Sequence, residues 1–546
     1  MRPIKLSATL LASLTGLICL LVYLRTLNCG FISYDDPDYV LNNPLIRSLD
    51  LTTTMTIFSQ PYNGWWMPLT WLSLALDYRV WQLNPFGYHL TNILLHSINT
   101  GLVVLIAARI LSRIRGEDGD AGDSTEGHLY PLVVLLAGLL WGLHPLRVES
   151  VAWVTERKDV LNGLFSLASI LFYLRYAQVR DAHGRGYVGI YLVSLMMFAL
   201  SLLAKSISVV LPVMLLVIDC YPLDRLRGGR MVSVLVEKIP FLLLSLFMAL
   251  LTIRFSSQVG YLVSYAQFPF SQRLVVSGNA LFEYCRLMLY PYGILPFYLI
   301  PDPLPAAYTL KTVLFAGGTL GCFLLVKKQP WLPAIWLLFV LPLLPVLAFF
   351  QNGDQALAAR FTYLPSLAPT IGVVLLVAAL CSKKAGAGRW KLFCGSGALL
   401  ALLTFGAVTV SDIAVWHDPL SFWSRVIDRQ PEVASYKERG LLYQERGDYR
   451  AAITDFSAAI GMAEGVWRRK IFNLYAFRGE AYRSLGRYPE AVRDFTAAIA
   501  LYPQPLYFYY RGLALRQQGN LPAAEEDFAR AGGASGALEW YEGDGQ

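Results

Sequence analysis

The chain has 546 residues, of which 55% are hydrophobic, 13% aromatic and only 15% charged, and its mean hydropathy is +0.46. Soluble domains carry about 25% charged residues, so this composition excludes an ordinary soluble enzyme and implies a chain that crosses a membrane many times. The net charge of +8 reads as cytoplasmic loops obeying the positive-inside rule, not as a nucleic-acid footprint, and the seven cysteines contain no C-x-x-C pair that would suggest a zinc ribbon.

In chain order, residues 6–27 form a first apolar run of spanning length, preceded by Arg2 and Lys5, which place its start in the cytoplasm. No small-residue cleavage site follows, so the run reads as an uncleaved span. It delivers GFISYDDPDYVLNNP, residues 30–44, to the opposite surface. Adjacent carboxylates at Asp35 and Asp36 repel each other, and one of them can serve as a base; the alternative is a solvated turn, since Asp-Pro and Asn-Pro are turn signals. Residues 48–87 are too polar and too interrupted by Pro61, Pro68 and Pro85 to span, and suit short interfacial helices. A second span is expected at 88–111, then a Gly- and Asp-rich cytoplasmic loop at 116–127 and a return at 129–143. An outer loop, HPLRVESVAWVTERKD, leads to spans at 160–176, 187–203, 207–221 and 239–255. Residues 273–308 are expected to be re-entrant or interfacial, because a full crossing there would put Lys327, Lys328 and the 383–391 lysines and arginine outside. Spans at 310–326, 331–350, 366–381 and 392–415 bring the expectation to about eleven crossings, with the tail outside.

After Trp416 the chain becomes polar and periodic. RGLLYQERGDYRAAITDFSAAI, RGEAYRSLGRYPEAVRDFTAAI and RGLALRQQGNLPAAEEDFARAG align with one another, with Gly440, Gly479 and Gly512 at their starts and Phe456, Phe495 and Phe528 at matching places. The spacing is that of tetratricopeptide (TPR) repeats of about 34 residues, paired helices stacked into a solenoid. Tyr443, Tyr482, Tyr509 and Tyr510 are the candidate contacts for an acceptor peptide; helix packing explains such tyrosines equally well.

The membrane half resembles the transmembrane-and-TPR O-mannosyltransferase family and its bacterial relatives, within the GT-C class. The resemblance is carried by YDDPDYVLNNP (34–44), PLTWLSLALD (68–77), HLTNILLHSIN (89–99), HPLRVESVAWVTERKDVL (144–161), LAKSISVVLPVMLLVIDCYPLDR (203–225) and ARFTYLP (359–365). Met67 departs from the W-H-P-L-T of bacterial relatives, which removes a histidine from that position. The resemblance implies an all-α fold with a GT-C membrane domain at 1–415, a first extracytoplasmic loop at 30–87 carrying the Asp pair, and an extracytoplasmic TPR domain at 416–546.

It further implies inverting transfer of a sugar from a polyprenyl-phosphate carrier to Ser/Thr hydroxyls of an exported protein, at a lipid bilayer. In that chemistry Asp35 or Asp36 is the base, and Arg157, Lys158 and Arg360 are the cations for the donor phosphate. Glu149, Glu156, Asp159, His89, His144 and Lys205 are supporting or substrate-binding candidates. A divalent metal is left open; its ligands would be Asp35, Asp36 and Asp159. The expected location is a bacterial inner membrane with the N-terminus cytoplasmic and the TPR domain periplasmic. The competing class is a non-catalytic membrane scaffold or transporter whose repeats recruit partners, but a transporter more naturally places its charges at mid-membrane on broken helices.

Overall fold

Long apolar runs in lipid must satisfy every backbone group internally, and the chain does so with helices. In the computed structural model, residues 7–115, 124–182, 184–227, 229–258, 264–296, 298–301, 303–350, 355–383, 388–463 and 471–532 are described. They fall into two compact units, Met1–His417 and Asp418–Gln546.

In the first unit, seven helices among the described residues are long and apolar enough to cross a membrane: Ala8–Asn28, Pro85–Ile114, Val154–Asp181, Tyr187–Ala204, Met231–Gln258, Ala306–Leu324 and Cys394–Trp416. An eighth arises if Tyr130–Gly142 and Pro145–Ala152, bent by 52°, count as one span. The bend falls at His144, whose extended backbone is what a following proline demands. Ser206–Cys220, Trp331–Val346 and Leu367–Ala379 are apolar but shorter. At 1.5 Å per residue they fall short of the ~30 Å hydrocarbon thickness unless flanking segments complete them. Each of the crossings expected from the sequence is thus an apolar helix, although not each is a full-length one. Most of the expected 116–127 loop lies outside the described residues; Ser124 already begins a helix that runs to Gly142.

Small residues let the first helices approach closely, as membrane helix interfaces commonly require. A Cβ on Gly16 would lie 2.8 Å from the Ser97 carbonyl oxygen, and one on Gly142 would lie 2.5 Å from Cys19 Sγ. The segment between the first two spans is a packed layer. Leu51–Ser59, capped by Asp50 accepting from Thr53 N at 2.7 Å, and Pro68–Trp81 enclose Tyr39, Val40, Ile57, Trp71, Leu74 and Tyr88. The 144–159 stretch, expected as an outer loop, is helical and buried: Pro145–Arg147, Val148–Ala152 and Val154–Glu156 lead straight into the helix beginning at Arg157. Residues Phe270–Leu289 form one more helix, and Tyr298–Leu299 pairs antiparallel with Gln355–Leu357 just before ARFTYLP.

The second unit is a run of helices, Pro419–Arg429, Val433–Glu445, Tyr449–Ala463, Ile471–Ser484, Tyr488–Leu501, Pro505–Gln517 and Leu521–Arg530. Gly447, Gly486 and Gly519 turn the chain within each helix pair at φ of 77°, 73° and 83°, the left-handed conformation glycine adopts without strain. A repeated bidentate ion pair staples the pairs: Arg439 to Asp455, Arg478 to Asp494 and Arg511 to Asp527, each at 2.7–2.8 Å. The repeat glycines exist to admit the repeat phenylalanines. A Cβ on Gly440 would meet Phe456 Cε1 at 2.6 Å, and one on Gly512 would meet Phe528 Cε1 at 2.8 Å. We therefore expect Gly440→Ala to destabilise this unit by about 1–3 kcal/mol through overpacking. Faster amide exchange across Val433–Ala463 in the full chain would register it; unchanged exchange would show that the ring has room to yield.

Candidate active site

The two aspartates of the first packed layer have different environments. Asp36 is fully buried and both its oxygens are occupied: Oδ2 accepts from Ile32 N at 2.7 Å, and Oδ1 from Thr155 N at 3.0 Å and Thr155 Oγ1 at 2.5 Å. Burial raises its pKa to about 6 against the pull of those three donors. The carboxylate therefore ties the 30–44 turn to the 154–156 turn, 119 residues away. Asp35 is only half-buried. Its pKa is also raised, chiefly by desolvation, while Lys158 and Arg360 pull it down and Glu156 and Asp38 push it up. It is thus the less buried member of the pair and lies within electrostatic reach of two cations.

Those cations belong to a buried ion cluster built from three distant segments. Glu156 sits at its centre, with Lys158 Nζ 3.1 Å from Oε1, Arg360 Nε 3.2 Å from the same oxygen and Lys205 Nζ 3.5 Å from Oε2. Lys205 also binds Asp159 Oδ1 at 2.5 Å. Arg360 pairs with Glu149 through its side chain, donates its backbone N–H to Glu149 Oε2 at 3.0 Å and reaches Gln355 Oε1 at 2.9 Å. Burial works against the charge on Arg360, but Glu149 and Glu156 outweigh it and hold its pKa above the ordinary arginine value. Aromatic faces line the cations: Lys158 lies 4.4 Å from the Tyr39 ring centre, and Arg360 lies over Trp153 and Phe361 at 5.4 and 4.9 Å. Side-chain exposures of 9%, 14% and 10% for Lys158, Lys205 and Arg360 leave each a little reachable.

Several expected members point elsewhere. Arg157 is fully buried, and its donors are taken by Asp77 Oδ2 at 2.6 Å, Ser73 Oγ at 2.7 Å, the Tyr88 carbonyl at 2.9 Å and Asn92 Oδ1. It fastens three helices, with four of its five N–H groups engaged and the side chain fully buried. Its neighbour Lys158 faces the cluster because adjacent residues on a helix project about 100° apart. His89 is sealed against the Cys29 and Gly30 backbone. His144 caps its own turn by accepting from Leu146 N, and its Nε2 lies 3.1 Å from the Met288 carbonyl. Asp35, Asp36 and Asp159 are not gathered as metal ligands. Among the described residues no group of three His, Cys, Asp or Glu side chains converges, and the oxygens of Asp36 and Asp159 are already engaged. In the repeats Tyr443, Tyr482, Tyr509 and Tyr510 are all half-buried. Tyr482 lies under Arg487 at 4.7 Å, Tyr510 stacks on Phe495 at 5.9 Å, and Tyr509 packs on Phe528 at 5.8 Å. The sequence reading missed Asp77, Ser73 and Asn92 as the holders of Arg157, and missed Arg147, which is buried with Thr362 Oγ1 as its hydrogen-bond partner at 2.8 Å.

The architecture defines a multi-pass helical membrane protein carrying a TPR unit. The tetratricopeptide repeat family model matches residues 478–537. The protein O-mannosyl-transferase Tmtc1 of Drosophila melanogaster is 35% identical over 195 residues, 33% of this chain and 20% of that protein. The protein O-mannosyl-transferase tmtc2 of Xenopus laevis is 31% identical over 42% of this chain and 26% of its own length. The Drosophila protein O-mannosyl-transferase Tmtc3 is 24% identical over 515 residues, covering 81% of this chain and 54% of that protein. These matches make the chain similar to the TMTC transmembrane-and-TPR proteins, of whose length it spans between a fifth and about half.

Because Arg157 is fully buried among these partners, its replacement tests structure and not chemistry. Arg157→Gln leaves Asp77 buried and unpaired, which costs about 3–5 kcal/mol. The purified variant should show a clearly lowered melting temperature in detergent, and Asp77→Asn on top of it should cost little more. Wild-type stability for Arg157→Gln would refute the fastening role.

Proposed function

We propose that this chain is a membrane glycosyltransferase that moves a sugar, mannose or another hexose, from a polyprenyl-phosphate carrier to Ser/Thr hydroxyls of an exported protein, with inversion at the anomeric carbon. The observation that carries the reading is a half-buried carboxylate, Asp35, within electrostatic reach of Lys158 and Arg360 in a cluster whose three cations, Lys158, Lys205 and Arg360, are slightly exposed. The names of the similar proteins support the same class of reaction.

In this mechanism Asp35 takes the proton of the acceptor hydroxyl as its oxygen attacks the anomeric carbon. The bond from that carbon to the phosphate oxygen breaks, and the polyprenyl phosphate leaves with the electron pair. Lys158, Arg360 and Lys205 stabilise the growing phosphate charge, exchanging part of their pairing with Glu156 and Asp159 for the phosphate oxygens. Desolvation of Asp35 raises its basicity, which suits a group that must accept a proton near neutral pH. Asp36 positions the turn through Thr155 and does not touch substrate. Among the described residues no group of three His, Cys, Asp or Glu side chains is placed to hold a metal, and no step here uses one. The TPR unit recruits the acceptor, on the side of the membrane that carries Asp35; in a bacterial inner membrane that side is the periplasm.

Asp35→Asn should reduce transfer from a polyprenyl-phosphate sugar by about 10²–10⁴-fold while leaving the melting temperature unchanged. Asp36→Asn should lower transfer and melting temperature together, because an amide places a donor against Ile32 N or Thr155 N. The wild-type rate should fall as pH drops through the raised Asp35 pKa, about tenfold per unit, since only the carboxylate is a base. Full activity in Asp35→Asn, or no transfer from any carrier-linked hexose by the intact wild type, overturns the proposal.

A further inference from the structure

The end of the first unit remote from the Glu156 cluster carries a second group of paired charges. The helix that begins at Arg157 ends at Asp181, so Asp181 lies about 35 Å from Lys158 at 1.5 Å per residue, more than the ~30 Å hydrocarbon thickness of a bilayer. The two groups therefore sit at opposite membrane surfaces, and the second lies at the depth of lipid phosphates.

Its charges do not balance. Arg113, Arg180, Arg225, Arg230 and Lys238 form ion pairs with three carboxylates, Asp181, Asp219 and Glu237. Arg225 and Lys238 turn inward to the fully buried Asp219, at 2.9 and 2.5 Å. Arg113 Nη2 and Arg230 Nη1 are left to share Asp181, 3.4 Å from Oδ2 and 3.1 Å from Oδ1, with Arg225 Nε a distant third at 3.7 Å. Arg109 adds another positive charge, bonded to the neutral Gln178 Oε1 at 2.9 Å. Arg113 and Arg230 are 39% and 53% exposed and present the surplus outward. Among the described residues, Nε and Nη1 of Arg113 and Nε and Nη2 of Arg230 have no partner. Apolar ridges start at the same place. Arg230 directly precedes the Met231–Gln258 helix, which exposes Val232, Val236 and Leu243, and the Tyr187–Ala204 helix beside it exposes Val188, Leu192 and Met196. Tyr191 Oη, donating to the Glu237 carbonyl at 2.7 Å, holds these two helices together.

We infer that Arg113 and Arg230 bind the phosphodiester of an anionic phospholipid, whose acyl chains lie along the ridges of the 187–204 and 231–258 helices. The inference is independent of the glycosyl-transfer reading. One phosphodiester carries the single negative charge that two guanidinium groups on one carboxylate lack, and the planar forks match its oxygens. A zwitterionic headgroup brings its own ammonium and gains less. A free phosphate offers the same oxygens, but the exposed valines and leucines beneath the arginines belong to a ligand with hydrocarbon chains. The bound headgroup bridges the end of the Pro85–Arg115 helix, the end of the Arg157–Asp181 helix and the start of the Met231–Gln258 helix. A ligand that binds this folded arrangement alone raises its stability by mass action.

The test places the full-length protein in nanodiscs of phosphatidylcholine with a rising fraction of phosphatidylglycerol. Native mass spectrometry reads the phosphatidylglycerol retained per chain, and the melting temperature is followed alongside. Retention should saturate at one phosphatidylglycerol per chain and raise the melting temperature. Arg113→Gln with Arg230→Gln should weaken retention about tenfold or more, with stability in pure phosphatidylcholine close to that of the wild type, since Arg225 still pairs with Asp181. Lys327→Gln with Lys328→Gln removes the same charge from two other exposed positions and should leave retention unchanged. Arg113→Lys with Arg230→Lys keeps every charge and covers the case in which the first variant fails to fold. It should still weaken retention severalfold, because an ammonium lacks the planar fork. Equal weakening by Lys327→Gln with Lys328→Gln, unchanged retention in Arg113→Lys with Arg230→Lys, or retention no greater than that of phosphatidylcholine assigns the effect to surface potential and overturns the inference. Displacement of phosphatidylglycerol by millimolar inorganic phosphate identifies a free-anion site and overturns the lipid assignment.

Discussion

A carboxylate buried away from water costs several kcal/mol unless cations meet it, and Glu156 is met by three. They come from the residue two positions on, from the end of the Tyr187–Ala204 helix and from the ARFTYLP turn. Satisfying that one charge therefore brings together segments that are more than 200 residues apart in the chain. Glu149 and Asp159 extend the pairing, and Asp36 adds the fourth segment through Thr155. What results is a polar cluster within electrostatic reach of the half-buried carboxylate of Asp35. Removing Arg360 leaves Glu149 without a cation, and removing Lys205 does the same to Asp159, which is why these ionisable residues sit together in a chain with so few.

The spans and the repeats were legible because both are periodic signals. A run of apolar residues without charges has few alternatives to a helix, and the glycine and phenylalanine of each repeat occur at fixed spacing because one ring fills the space one glycine vacates. The motifs 34–44, 144–161 and 359–365 were also legible as a set, and the structure brings Asp35, Lys158, Glu149, Glu156, Asp159, Lys205 and Arg360 into one neighbourhood. Direction within the set was not. Arg157 and Lys158 are adjacent in sequence, yet one turns to Asp77 and the other to Glu156, and only the start of a helix at Arg157 decides which. Polarity misled at 144–156, where charged residues suggested a solvated loop; pairing across 200 residues buries them instead. His144 caps its own turn by accepting from Leu146 N, a demand that leaves no mark in sequence spacing, and His89 is fully buried with neither ring nitrogen holding a hydrogen-bond partner among the described residues.

The separation of roles between Asp35 and Asp36 is the centre of the functional account. One carboxylate spends its lone pairs on the fold, and the other keeps them. A protein that needs a base in a buried, cation-rich place faces the problem that the base would simply pair with the cations. Here Glu156, Glu149 and Asp159 occupy the cations, which in the proposed reaction leaves Asp35 unclaimed for the acceptor hydroxyl.

The most direct test is equilibrium binding of a polyprenyl-phosphate sugar to Asp35→Asn, measured beside single-turnover transfer in the same preparation. The account predicts donor affinity close to that of the wild type with transfer almost abolished, because the base acts on the acceptor and the cations hold the donor. Loss of donor binding in step with transfer, or unimpaired transfer, would contradict it.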